Sequence, residues 1–293
     1  MQSPAAPFDR ALARRRLRRA LAAGRYPAFL LERAAEDLAE RLAAVTRRYG
    51  CGIDLGSPVP LALGPMRGLC ERVFRLAPEG AEAADLVGDE EALPFAEQSA
   101  GLVVSLLALQ GANDLPGSFV QVRRVLEPDG LFLACLLGGE SLTELRQSFA
   151  AAEAELEGGV SPRIAPFADI RALGSLLQRA GFALPVVDLD RAVVRYRTPF
   201  GLMDDLRAMG WANALAERRR TPLRRATLMR AAEIYGERFA DADGRVRATF
   251  DLVWLSGWAP HESQQKPLRP GSARARLADA LGVPEYGPTG DPR

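Results

Sequence analysis

Residues 51–64 read CGIDLGSPVPLALG. A short apolar run into Asp54-Leu55-Gly56 is how a first parallel strand hands over to its ligand loop in an α/β sheet. Such a loop is ordinarily small and glycine-rich, because glycine reaches backbone angles that other residues avoid and lets a ligand come close. Here Ser57-Pro58-Val59-Pro60 follows instead. A proline fixes its own φ, restricts the residue before it and has no N–H to donate. The stretch predicts a strand-and-loop fold whose ligand loop is altered.

Further runs of the same kind follow. RVFRL (72–76), DLVG (85–88), GLVVSLLAL (101–109), GLFLACLL (130–137) and FALPVVDLD (182–190) are rich in Val, Leu and Phe, and turn residues bound most of them. Before the fifth strand, Phe119, Val122, Val125 and Leu126 form one helical face, and Pro128-Asp129-Gly130 makes the turn. Strands separated by helices predict an α/β fold with a doubly wound, mostly parallel sheet. Upstream, apolar residues recur at helical spacing over 8–48, with Gly24 and Pro27 dividing them into two helices. Ser141 and Glu144 have the spacing of a capping box that opens a helix to about Glu157. Another helix is expected from about Ala168 to Gly181, then a helical block at 199–240 and a last strand at VRATFDLVWLSGW (246–258). The chain thus divides into N-terminal helices (1–48), a core (49–198), a helical lid insertion (199–244), the last strand of the core (245–264) and a C-terminal tail (265–293).

Composition mainly excludes. The 293 residues are 48% hydrophobic and 26% charged, as in soluble globular proteins, and a net charge of +1 gives no pull toward nucleic acid. Lys266 is the sole lysine, so the positive charge is nearly all arginine. Arg14, Arg15, Arg16, Arg18 and Arg19 read first as a solvated helix face, and leave peripheral association with an anionic membrane surface open. No apolar run approaches the ~20 residues that span a bilayer. Cys51, Cys70 and Cys135 lack CxxC spacing, which argues against zinc and against a disulfide framework and predicts a reducing compartment. RALARRRLRRALAAGRY is arginine-rich like a transit peptide but carries no hydrophobic signal core, and a cytoplasmic protein is expected. His261 is the one histidine, so neither a two-histidine iron triad nor an HExxH zinc site can be built within the chain. No metal site is expected.

The order of elements resembles that of class I S-adenosylmethionine-dependent methyltransferases: leading helices, βα units, then a helical insertion before the final strand. GDEEALPF (88–95) resembles their third-strand motif, and RRVLEPDGLFLACLLGGESLTELR their turn into the fifth strand. More narrowly, FDRALARRR, EGGVSPRIAPF, LMDDLRAMG and GWAPHESQ resemble the methyltransferase-like assembly-factor family of respiratory complex I. That family's mitochondrial member is described as an arginine hydroxylase acting on a complex I subunit. The resemblance runs from Phe8 to about Arg276. Biotin-pathway carrier-protein methyltransferases share the insertion but not the GGVSPRIAPF loop.

The resemblance implies four anchors for S-adenosylmethionine. The first is Asp-Leu-Gly-Cys-Gly-x-Gly: Asp54, Leu55 and Gly56 match, while Ser57 replaces the cysteine and Pro58 the second glycine. The second, an acid that holds the ribose hydroxyls, falls at about Leu76, with Glu79 three residues later. The third is kept: Asp89 matches the acid that receives the adenine amino group, and Leu93-Pro94-Phe95 follow. The fourth, Leu-His-Trp after strand four, is here Leu109-Gln110-Gly111. Losing a charge-assisted hydrogen bond costs about 1.5–3 kcal/mol, so three losses weaken a micromolar ligand by ~10³-fold or more. Cofactor contacts are expected at Asp54, Gly56, Asp89 and Leu93, in weakened form, and no catalytic residue is assigned.

The resemblance points to a family member that acts through protein contacts with a complex I subunit or another assembly factor. The alternative is an active methyltransferase or protein-arginine hydroxylase with an atypical loop. That reading requires an acid near 76–79 facing the pocket and open space beside Pro58. Partner or substrate contact is expected at Ser161, Pro162 and Arg163, since long loops over the carboxyl edge of such sheets carry ligand contacts, a rigid linker being the plainer reading. His261 is either a functional group titrating near neutrality or a loop cap. Trp211, Trp254 and Trp258 are expected in the core. Asp204 and Asp205 are expected in solvent, one of them paired with an arginine.

Overall fold

The structure, a computed structural model, describes residues 6–264 and Gly282. Five strands run parallel: β1 (Tyr49–Leu55), β2 (Cys70–Ala77), β3 (Leu86–Val87), β4 (Ala100–Leu106) and β5 (Leu126–Gly138). With β6 (Ala183–Tyr196) and β7 (Val246–Trp258) they form one seven-stranded sheet, ordered β3-β2-β1-β4-β5-β7-β6. β7 inserts antiparallel between β5 and β6. This is the doubly wound, mostly parallel sheet the sequence predicts. β4 is buried along its whole length, as a parallel strand covered on both faces must be, which is why its apolar run does not alternate.

Helices cover the two faces: α1 (Arg10–Ala22), α2 (Phe29–Ala43), α3 (Leu63–Arg67), α4 (Leu115–Val125), α5 (Thr143–Glu157), α6 (Ile170–Arg179), α7 (Pro199–Ala208) and α8 (Arg225–Phe239). α2 buries Leu30, Leu31, Ala34, Leu38 and Leu42 in the core on one side of the sheet. α4 buries Phe119, Val122 and Val125 in the core on the other. Each such Leu or Phe contributes about 1.5–3 kcal/mol when fully buried. Leu126 opens β5 rather than closing the helix before it. Asp114, Asp169 and Thr198 cap α4, α6 and α7 by accepting first-turn N–H bonds.

The expected capping box on α5 does not form. Leu142 takes the N-cap position at φ 56°, without a side-chain cap. Ser141 Oγ donates instead to the Gly138 carbonyl at 2.7 Å, and Glu144 accepts from the Thr249 N–H at 3.1 Å. Both groups find partners around β7 and the end of β5, and these tertiary bonds win over the local one.

The chain falls into two compact units, Met1–Pro260 and His261–Arg293. The first holds the N-terminal helices, the sheet and the 199–244 insertion. In the second, His261 Nδ1 lies 2.7 Å from Ser263 Oγ, and the Gln264 N–H donates to the His261 carbonyl at 3.2 Å. The tail expected at 265–293 lies outside the described residues except for Gly282. Among the described residues, no helix is long and apolar enough to cross a membrane, and no cluster of His, Cys, Asp and Glu could hold a metal ion.

Candidate functional site

Strand order reverses between β1 and β4, and α/β sheets hold ligands in the crevice at such a point. There a cleft of about 770 Å³ opens. Gly56, Pro58, Glu79, Asp89 and Gln110 border one part; Phe149, Arg163, Phe200, Met203 and Trp211 border another. Pro58 edges this space without filling it, and Pro60 starts a 3-10 turn leading into α3. Gly56 stands at φ +75°, where a Cβ would come 2.9 Å from the Ala108 Cβ, so glycine is needed there for both angle and room.

Behind the loop lies an ion pair that the sequence did not announce. Asp54 and Arg75 both have no exposed surface. Arg75 Nε donates to Asp54 Oδ2 at 3.0 Å, Nη2 donates to the Ser57 carbonyl at 2.5 Å, and Nη1 donates to the Glu82 carbonyl. Ser57 Oγ donates to Asp54 Oδ1 at 2.5 Å and accepts from the Leu106 N–H at 3.1 Å. Burial pushes the Asp54 carboxyl up to about 6, while Ser57 and Arg75 pull it back toward the charged form. Asp54 therefore serves the interior of the loop and is not among the residues bordering the cleft. One signal was present in sequence: Asp54 is the sole charge in β1, and the parallel register sets it beside Arg75, one of the three charged residues of β2.

The rim acids are occupied from within the chain. Leu76 is buried and pairs with Leu55, so no acid stands at the end of β2 itself. Glu79 lies past the strand on the cleft rim, where Arg18 Nη1 donates to it at 2.8 Å. Asp89 accepts from Arg10 Nη2 at 2.7 Å and from the Glu91 N–H at 3.0 Å, and pairs with Arg14. Burial works to raise the Asp89 pKa, but the bonds from Arg14 and the Glu91 N–H, with the charges of Arg10 and Arg14, outweigh it and hold the carboxyl below its ordinary range. Arg10 Nη1 also reaches Glu90 at 2.7 Å and the Gly111 carbonyl at 2.9 Å. Gln110 turns its amide N–H to the Leu107 carbonyl at 2.7 Å. Leu93 is a core residue, its N–H given to Gln121 at 3.1 Å, and does not border the cleft.

The 158–167 loop is held by one buried acid. Glu153 on α5 has no exposed surface and accepts from the Ser161 N–H at 2.7 Å, from Ser161 Oγ at 2.6 Å and from Arg163 Nε at 2.8 Å. The Arg163 guanidinium also lies 5.5 Å from the Phe149 ring centroid, and the Pro162 carbonyl accepts from Asn213 of the lid segment at 2.8 Å. Burial opposes ionisation of Glu153, but the Ser161 and Arg163 bonds outweigh it and lower its pKa. A lowered carboxyl stabilises the fold above its unfolded pKa of about 4.3, and that contribution is lost as pH falls through the folded value. Pepsin digestion is therefore expected to cut within 158–167 before the sheet opens as pH falls below ~4.

A sequence profile described as "Methyltransferase domain" matches residues 67–134, beginning after the altered loop. The backbone matches a Bacillus halodurans protein assigned as a methyltransferase with TM-score 0.52 and 13% identity, over 78% of this chain and 99% of that one. It matches the YcgJ protein of Bacillus subtilis with TM-score 0.52 and 12% identity, over 77% and 99%. These likenesses show the fold. Over 286 residues the sequence is 38% identical to the Danio rerio protein named arginine-hydroxylase NDUFAF5, mitochondrial, covering 93% of this chain and 88% of that protein. The chain belongs to the NDUFAF5 family. The human NDUFAF5 is 44% identical over 194 residues, 66% of this chain and 56% of its own. The malonyl-[acyl-carrier protein] O-methyltransferase of Gallionella capsiferriformans is 37% identical over 183 residues, covering 62% and 60%.

In this NDUFAF5-family chain the cleft has room for a ligand, and its rim acids are engaged by arginines. Pro58 has no N–H, and Asp89 and Glu79 already accept from arginines. A ligand that used Asp89 or Glu79 would have to share or displace these arginine contacts. Of the residues at which cofactor or partner contacts were expected, the cleft gathers Gly56, Asp89 and Arg163. It leaves Asp54 and Leu93 in the interior, Ser161 on Glu153, and Pro162 exposed, bonded to Asn213. His261 belongs to the second unit. Trp254 is buried beneath the Arg41 guanidinium, 4.5 Å from its ring centroid, while Trp211 borders the cleft. Asp204 pairs with Arg207 at 2.5 Å in solvent.

Proposed function

We propose that this chain is a methyltransferase-fold complex I assembly factor whose S-adenosylmethionine site is impaired and which acts through protein contacts with a complex I subunit or another assembly factor. The observation that carries the reading is the capture of Asp89 by Arg10 and Arg14 of the same chain. Freeing that carboxylate for an adenine means giving up hydrogen bonds from two charged guanidinium groups for one from an uncharged amino group. Family membership supports the assembly role, and the three free cysteines support a reducing, cytoplasmic setting.

One observation favours the rival, an active methyltransferase or protein-arginine hydroxylase: the cleft is open beside Pro58 and Glu79 stands on its rim. Thermal melts of the full chain with S-adenosylmethionine separate the two. A ligand at 100 times its dissociation constant stabilises a protein by ~2.7 kcal/mol, which is several degrees at this size. No shift is expected at ~1 mM ligand; a clear shift would return the enzyme reading to the front. A gentle pull-down from native cells should retain a complex I subunit or assembly factor, and an empty pull-down would sink the contact reading.

A further inference from the structure

α1 is held to the molecule by charge far more than by burial. It has 13 residues, of which Leu12 and Ala20 are buried. Arg10, Arg14 and Arg18, four residues apart on one face, reach Asp89 and Glu90, then Asp89, then Glu79. On the adjoining face Arg16 donates to the Ala212 and Asn213 carbonyls at 2.9 and 2.5 Å. The helix thus spans the cleft, with the acidic rim on one side and the lid segment on the other.

Its ends differ. Phe8, just before the helix, exchanges hydrogen bonds with the Asn113 side chain at 2.8 and 3.1 Å and bridges to Leu215. Arg10 is mostly enclosed, with 15% of its side chain exposed, whereas 48% of Arg14 and of Arg18 is exposed. Between them the backbone of α1 rests on Gly210. A Cβ at Gly210 would lie 2.7 Å from Leu17 Cα and 3.0 Å from Leu17 N, with φ already at +76°. Neither backbone can give way as a flexible side chain can.

We infer that α1 is an in-cis strap, anchored at Phe8, seated on Gly210 and latched by Arg14 and Arg18, which closes the cleft against any ligand that would use Asp89 and Glu79. Exposed ion pairs are individually weak and salt screens them. A helix this short does not persist unaided. Raising the ionic strength therefore loosens the segment 13–22 while the sheet beneath stays folded. The inference stands on α1 itself: it accounts for the impaired cofactor site proposed above without requiring it.

Hydrogen exchange on the full chain tests it, comparing ~0.01 M salt, where the Debye length is ~30 Å, with ~1 M, where it is ~3 Å. Peptides from 13–22 should exchange at least about tenfold faster at high salt, with peptides from β4 and β5 unchanged. The double variant Arg14→Gln/Arg18→Gln should show the fast exchange already at low salt. Gly210→Ala should do the same by steric displacement; where that variant fails to fold, the glutamine pair decides. Exchange of 13–22 that ignores both salt and the glutamine pair would overturn the strap. Binding of S-adenosylmethionine by the unaltered chain would defeat the impaired-site reading and leave the exchange result as it is, so the two fail separately.

Discussion

Replacing Arg75 by methionine is expected to destabilise the protein by about 3–5 kcal/mol, the usual consequence of leaving a buried charge without its partner. Asp54 would remain with no exposed surface and no counter-charge, and the Ser57 and Glu82 carbonyls would lose their donors. At this chain length each kcal/mol moves the melting temperature by about 2–4 °C, so thermal or urea melts read the loss directly. The deficit should also grow with pH. Arg75 holds the folded pKa of Asp54 down at about 6; without it the carboxyl stays protonated to higher pH, so as pH rises past about 6 the variant goes on losing stability after the native chain has stopped. The second variant Asp54→Leu/Arg75→Met should recover part of the loss, because the uncompensated charge goes while the two carbonyls stay unpaired. Equal melts for Arg75→Met and the native chain would show that the pair holds nothing.

Replacing Glu153 by alanine is expected to cost about 3 kcal/mol, at the lower end for a broken buried pair because Arg163 keeps a little contact with water. The Ser161 N–H and hydroxyl and the Arg163 guanidinium would lose their acceptor together. The loop should then be cut by trypsin at Arg163 at neutral pH, where the native loop resists. That outcome distinguishes a held loop from a linker that rests on α5 by chance. An uncut loop in the variant would mean that the Asn213 bond to Pro162 and the Phe149 contact hold it without Glu153.

The sheet was legible because hydrophobic runs declare it. β7 was readable at both ends, and the break between α1 and α2 was marked by Gly24 and Pro27. The cleft was legible through GDEEALPF and the altered loop, which pointed to Gly56 and Asp89, both on its lining. What neutralises Asp89 was not legible. Arg10 and Asp89 are 79 residues apart, and arginines at four-residue spacing look the same on a solvated face as on a strap. Asp54 and Leu93 follow a family motif, but the motif does not say whether a side chain faces the cleft or the interior. The α5 capping box was local logic overruled by Thr249, 105 residues away, which takes the Glu144 carboxylate.

The place of β7 in the sheet sets a timetable for the newborn chain. β5 pairs on one side with β4 and on the other with β7, so its outer edge stays unpaired until residues 246–258 have been made. β6 is made earlier but bonds β7, not β5, and waits for the same segment. With residues 139–245 still to be added at roughly 5–20 per second, an apolar strand edge is bare for about 5–20 s on the ribosome. Throughout that interval the nascent sheet offers an unpaired edge on which a wrong strand can template.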